Sequence, residues 1–306
     1  MTASNPAHDE SSPSPGGPRP LVGAHLDSTA QLMNAITSRL GSQLSLVSLN
    51  GARRPVPPAL VLAAHGSRDP RALHTVRILI ERVRELRPHL PVHLGHIELN
   101  EPLLPDTLAA LHGDGTDEAV LVPLLLSRGY HVKRDIPEAA ATAPAPLRTR
   151  VAAPLGPHPL LVETLYARLV EAGWRTGMSD SARRSSAIVL AAAGSRDPDA
   201  AVDTRRTAQL LAERLGVPVV PAYASAAAPT VAAAVRAMAA RGRHRIAVAS
   251  YFTAPGRFAT ECAAAAPWIA AEPLGDHPAM ARLVLHRYDQ ALATPEPAPE
   301  RALATA

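Results

Sequence analysis

Two histidines and a glutamate stand out by type and spacing. His65 follows an unbroken apolar run, Glu98 lies thirty-three residues further on, and His131 thirty-three beyond that. Two imidazoles and one carboxylate suit a borderline divalent ion such as Fe²⁺, Co²⁺, Ni²⁺ or Zn²⁺, and three protein donors leave coordination positions open. A loop histidine is often only a surface residue, and this chain has 13 histidines. What sets these three apart is an internal repeat.

Leu-Val-Leu-Ala-Ala-His-Gly-Ser-Arg-Asp-Pro at 60–70 returns as Ile-Val-Leu-Ala-Ala-Ala-Gly-Ser-Arg-Asp-Pro at 188–198. Pro102 then matches Pro229, Gly129 matches Gly256, and Pro-Leu-Gly-Pro-His-Pro at 154–159 matches Pro-Leu-Gly-Asp-His-Pro at 273–278. The turn residues Gly66, Ser67, Arg68, Asp69 and Pro70 all recur, so the backbone of that turn is kept. The donors do not recur: His65 becomes Ala193, Glu98 faces Ser225, and His131 faces Phe258. Their joint loss points to one shared task in the first copy.

Other polar residues divide differently. His158 and His277 are kept in both copies before a helix, which suits capping or packing, and His93 and His112 are read as structural. Arg68 and Asp69 suit local turn contacts, with substrate binding by Arg68 as a second reading. Arg128, Lys133 and Arg134 surround His131 and face Pro255, Thr260 and Glu261 in the second copy. This basic cluster could hold anionic groups near a metal, or be a solvated helix start.

The elements that must carry these residues alternate. Strands are predicted at 60–64, 92–97, 119–124 and 149–153, with helices at 70–86, about 102–111, after His131 and at 158–172. The second copy repeats the order, with strands at 188–192, 219–223 and 246–251. Its helices are predicted at 198–215, 229–240, a short one after 251, and 277–292. Apolar strands without alternation, joined through helices, imply α/β architecture: two similar domains, each a parallel sheet with helices on both faces. The donors then fall at the carboxyl ends of successive strands, the edge where such sheets bind ligands. The expected organisation is a disordered extension over 1–58 with one helix from Asp27, a metal-binding domain over 59–176, a degenerate second domain over 187–292, and a tail over 293–306. Residues 177–186 are expected to be an irregular linker.

Composition narrows the class. A length of 306 residues suits two domains of about 150 residues each. With 47% hydrophobic residues the core is ample, but at 3% aromatics it is built of alanine, valine and leucine and offers no stacking surface for nucleic acid. The net charge of +4 does not argue for DNA, and all the basic residues except Lys133 are arginine, a guanidinium suited to carboxylates and phosphates or simply a codon bias. A single cysteine excludes an internal disulfide and a cysteine metal site, which fits a reducing cytoplasm. No run reaches the about 18 apolar residues of a membrane helix, and no signal core opens the chain.

Ala-His-Gly-Ser-Arg at 64–68, Ile-Glu-Leu-Asn-Glu-Pro at 97–102 and Pro-Leu-Leu-Leu-Ser-Arg-Gly-Tyr-His-Val at 123–132 together resemble the sirohydrochlorin and cobalt chelatases, class II chelatases that insert Fe²⁺ or Co²⁺ into a tetrapyrrole without an energy source. The resemblance covers about residues 60–292. It implies two α/β domains facing each other across a cleft for the macrocycle. It places the metal-handling residues at His65, Glu98 and His131, with one insertion site in the first domain. The expected activity is insertion of Fe²⁺ into sirohydrochlorin to give sirohaem, with cobalt insertion for cobalamin synthesis as the alternative. His65 and His131 would position the metal, Glu98 would bind metal or accept a pyrrole proton, and Arg68, Arg128, Lys133 and Arg134 would meet substrate carboxylates. No tightly bound cofactor, nucleic acid or membrane partner is expected, and the chain should act as a monomer that imitates a dimer. From other classes, a non-haem iron enzyme and a non-catalytic metal carrier remain open. The extension has no place in the resemblance.

Overall fold

The computed structural model describes residues 56–294. The expected extension up to residue 55, with its helix, and the tail from 295 onward lie outside the described residues. The first half runs β1 (Ala59–Ala64), α1 (Pro70–Leu86), β2 (Val92–His96), α2 (Leu104–Gly113), β3 (Glu118–Pro123), α3 (Tyr130–Lys133), α4 (Asp135–Ala141), β4 (Arg148–Val151) and α5 (Pro159–Glu171). A short α6 (Asp180–Ser185) leads into β5 (Ser186–Ala192), α7 (Pro198–Leu215), β6 (Val219–Tyr223), α8 (Val231–Ala240), β7 (Arg245–Tyr251), α9 (Arg257–Ala264), β8 (Ile269–Ala270) and α10 (Pro278–Ala293).

Each half holds one four-stranded sheet, and every pairing is parallel. The strand orders β2-β1-β3-β4 and β6-β5-β7-β8 are the same pattern. Leu60, Leu62, Val120 and Val122 point to one face of the first sheet, and Val61, Ala63 and Leu121 point to the other. Both faces are covered, which is why the strands read as continuous apolar runs.

The inner faces of both sheets contribute to one shared core. Between them lie α1, α5, α7 and α10: α1 packs on α10, α5 packs on α7, and α5 and α10 meet. Since α7 repeats α1 and α10 repeats α5, these pairings exchange under an approximate twofold axis. The outer face of the first sheet is covered by α2 and α4, and that of the second by α8 and α9.

Three elements differ from expectation. Where one helix is expected after His131, the chain forms two, and His131 lies inside the first, α3, which breaks at Arg134 before α4. The linker contains α6, capped by the Ser179 hydroxyl on the Ala182 N–H and free of buried residues, so no apolar period announces it. The second sheet gains β8, only two residues long and flanked by the partly exposed Trp268.

Candidate functional site

The recurrent turn after β1 explains itself residue by residue. Gly66 takes a φ of +98°, and a Cβ there would sit 1.9 Å from the Glu98 carbonyl oxygen. Gly194 repeats this at +92°, 1.9 Å from the Ser225 carbonyl. Only glycine fits such an approach. The Ser67 hydroxyl accepts from the Asp69 N–H at 3.1 Å, Asp69 accepts from the Arg71 N–H to cap α1, and Pro70 occupies the first turn. Ser195, Asp197 and Pro198 reproduce the device on α7. Asp69 thus makes the local turn contacts expected of it, and these also lower its pKa through the Arg71 side chain first. Arg68 is exposed, with no ion pair among the described residues.

The turn delivers His65 to the carboxyl edge of the sheet. The backbone ladder continues past β2, with the Glu98 N–H donating to the His65 carbonyl at 3.1 Å. The His65 Nε2 lies 3.4 Å from the Glu98 Oε1, and both side chains are about half exposed. On the first turn after β3, the His131 ring stands edge-on to that of His65, with centroids 4.9 Å apart. The three residues singled out by the repeat therefore share one edge. His131 Nδ1 is hydrogen-bonded to Asp135. His65 Nδ1 lies 3.3 Å from the Gly66 carbonyl, which can only accept. With Nδ1 donating to Asp135, the His131 Nε2 carries the lone pair a metal needs, whereas the His65 Nε2 faces the Glu98 carboxylate and offers its lone pair to an ion when Nδ1 holds the proton. As they stand, no three His, Cys, Asp or Glu side chains among the described residues are drawn close enough to hold an ion. They form two pairs side by side, His65 with Glu98 and His131 with Asp135.

The basic cluster around His131 divides. Asp203 accepts from the Arg128 backbone N–H at 2.9 Å and from its guanidinium at 2.7 Å. Lys133 reaches both Asp197 and Asp199 at 2.8 Å, and these contacts, Asp197 first, raise its pKa. Arg128 and Lys133 are therefore engaged with the second half, while Arg134 is exposed with no ion pair among the described residues. His158 and His277 cap α5 and α10 by accepting from the Leu160 and Ala279 N–H groups, which is the positional role their recurrence suggests. Burial lowers the pKa of His93, and His96 is buried against the Pro102 carbonyl.

Two residues of this site were missed in the sequence. The Asn100 Oδ1 accepts from the Ser67 N–H at 2.7 Å, and Asp135 orients His131. Both were accessible to the repeat comparison, which sets Ala227 against Asn100 and Cys262 against Asp135. Asp135 also stands one helical turn after His131, the spacing at which side chains meet.

The two carboxyl edges approach each other crosswise. A methyl group on Gly129 would come 3.6 Å from the Ser195 hydroxyl, and one on Gly256 would come 3.8 Å from that of Ser67. A family profile described as CbiX matches residues 59–172 and again 187–291. The chain belongs to the CbiX family. Among curated relatives, the sirohydrochlorin cobaltochelatase of Methanococcus aeolicus is 39% identical over 80 residues, covering 26% of this chain and 56% of that protein. The sirohydrochlorin ferrochelatase of Bacillus subtilis is 29% identical over 179 residues, covering 56% of this chain and 64% of that protein. This CbiX-family chain thus spans little more than half the length of the first of these relatives. The crystal structure of the sirohydrochlorin chelatase SirB from Bacillus subtilis subspecies spizizenii in complex with cobalt matches with a TM-score of 0.63 at 23% identity, covering 78% of this chain and 97% of that one. SirB from Bacillus subtilis with Fe³⁺ matches with a TM-score of 0.62 at 23% identity, covering 77% and 96%. At that identity the likeness establishes the two-sheet fold of the CbiX-family chain.

Proposed function

We propose that this chain is a sirohydrochlorin chelatase that inserts Fe²⁺ or Co²⁺ into the macrocycle, with one working site in the first half. The observation that carries the reading is the meeting of His65, Glu98 and His131 at one sheet edge, in the only copy of the repeat that keeps all three. The names of its curated relatives, ferrochelatase and cobaltochelatase of the same substrate, support the same chemistry.

Insertion replaces two pyrrole protons by one divalent ion. The Nε2 atoms of His65 and His131 hold the ion at about 2.0–2.2 Å after side-chain rotation brings the two pairs together. Neutral imidazoles bind it loosely enough to pass it to the ring nitrogens, and protons compete for them. Glu98 completes the donor set or accepts a pyrrole proton. The substrate's carboxylates meet Arg68 and Arg134, the two of the four basic residues near the donors that make no ion pair among the described residues. Its apolar face lies against Leu99 and Tyr130, which are 49% and 64% exposed beside Glu98 and His131. Arg128 and Lys133 are assigned to the fold of the site instead.

The chain works as a monomer whose halves imitate a dimer, in the cytoplasm, where its single buried thiol, Cys262, suits a reducing compartment. No helix among the described residues is long and apolar enough to cross a membrane. The test is anaerobic incubation of the full chain with sirohydrochlorin and either Fe²⁺ or Co²⁺, followed by absorbance. Insertion faster than the uncatalysed rate is expected with at least one ion. Rates equal to the uncatalysed ones with both ions, while Co²⁺ still binds, would favour a metal carrier instead.

A further inference from the structure

The second half has lost all three donors, yet it keeps a set of carboxylates aimed at the first. We propose that Asp197, Asp199 and Asp203, at the start of α7, are positioning residues that clamp the 128–133 segment and so hold His131 in place. The proposal rests on the reading of His131 as a metal-handling residue.

The anchors stand on both sides of the histidine. Before it, Asp203 takes the Arg128 N–H at 2.9 Å and the guanidinium through Nε and Nη2, the shortest contact being 2.7 Å. The Asp203 side chain is only 3% exposed. Such a carboxylate has little access to water, so its bonds to Arg128 are charge-assisted and costly to break. After the histidine, Lys133 bridges Asp197 and Asp199 at 2.8 Å each. That pair of contacts is more exposed and correspondingly weaker. Asp197 is itself held, because it caps α7 and its own N–H donates to Ser195.

The clamp runs in one direction only. By the offset that matches Asp69 with Asp197, the first-half counterparts of Asp199 and Asp203 are Arg71 and Thr75. Asp69 pairs with Arg71 inside its own half. In the second half the counterparts of Arg128 and Lys133 are Pro255 and Thr260, which carry no charge to grip. The half without donors therefore grips the half that has them, at the loop that bears one. α3 has four residues and none is buried, so its own packing does not fix it.

The clamp is tested on the full chain with Asp203→Asn, Asp203→Glu and the pair Asp197→Asn with Asp199→Asn. Amide hydrogen exchange over 127–134 reads the loop without any metal, and titration with Co²⁺ alone reads the donors. Asp203→Asn should speed exchange over 128–133 by about tenfold, the loss of one charge-assisted bond, while 97–101 stays unchanged. Co²⁺ affinity should fall with it, and Asp203→Glu should recover part of both. Unchanged exchange in a folded Asp203→Asn variant would overturn the clamp, and so would faster exchange with Co²⁺ affinity unaltered. Should Asp203→Asn fail to fold, the exposed pair carries the same readouts: faster exchange with weaker Co²⁺ binding supports the clamp, and no change in either overturns it. If the parent protein binds no Co²⁺ while exchange responds as stated, the metal reading fails and the clamp on the loop stands.

Discussion

The Ser67 backbone N–H donates to the Asn100 Oδ1 over 2.7 Å, tying the turn after His65 to the loop that carries Glu98. In the second half Ala227 stands at the matching position, although the backbone bond between Ser225 and Ala193, 3.0 Å, is the same as that between Glu98 and His65. The second half ties the same two segments through the Ser225 hydroxyl, which donates to the Ala193 carbonyl at 3.1 Å, so it is the amide tie to the Ser67 N–H that belongs to the half with donors. Asn100→Ala should therefore leave the fold intact, lower metal insertion several-fold and weaken Co²⁺ binding. Asn100→Asp, which keeps the acceptor, should recover most of the loss. Chelation rates and Co²⁺ titrations of both variants check this, and an Asn100→Ala variant that matches the parent protein in both would remove Asn100 from the site.

Much of the arrangement is legible in the chain, for identifiable reasons. β1 and α1 announce themselves through an apolar run followed by Asp69-Pro70, a cap and a first-turn proline whose local chemistry needs no partner from afar. His65, Glu98 and His131 are visible because the repeat supplies its own control. The pairing of Arg128 with Asp203 is not visible, since the two are 75 residues apart and meet only because α7 packs at the junction of the halves. β8 escapes for the opposite reason, because Ile269–Ala270 is too short to carry a pattern.

Position 65 offers a substitution that the protein has already made elsewhere. Ala193 precedes Gly194 in a turn with the same caps and the same ladder bond, so His65→Ala should change stability by no more than about 0.5 kcal/mol. It should nevertheless reduce metal insertion to the uncatalysed rate. Full activity in this variant would overturn the assignment of His65, and a large drop in thermal midpoint would show that the imidazole also supports the fold.

The halves are also joined by Tyr251, whose hydroxyl donates to the Leu126 carbonyl at 3.0 Å and lies 3.1 Å from that of Thr207. Burial raises its pKa well above the usual phenol range. Gly156 leaves the room this requires, for a Cβ there would meet the hydroxyl at 2.5 Å. Tyr251→Phe leaves a buried carbonyl short of a donor and should cost about 1–3 kcal/mol, read by urea denaturation. An unchanged denaturation midpoint would mean that the hydroxyl does not bind the halves together.

His158 links stability to pH away from the site. Its Nδ1 accepts from the Leu160 N–H at 3.1 Å to cap α5, and burial, then Arg287 and His286, push its pKa down to about 4. As pH falls through the ordinary value of 6.5, the unfolded chain takes up a proton that the folded chain refuses until about pH 4. The contribution of this group to stability is therefore intact above pH 6.5, falls between pH 6.5 and 4, and is level below that, and since solvent screens a part-exposed imidazole the total loss is on the order of 1 kcal/mol. Asparagine also caps helices well but does not titrate. His158→Asn should match the parent protein near pH 7.5 and exceed it at pH 4.5, a difference from which the carboxylates common to both proteins cancel. Urea denaturation of the two proteins across this range measures it. If parent and variant lose stability in parallel from pH 6.5 to 4, protonation of His158 is not the cause, and the acid sensitivity belongs to other groups, His277 first, since burial lowers its pKa at the matching cap.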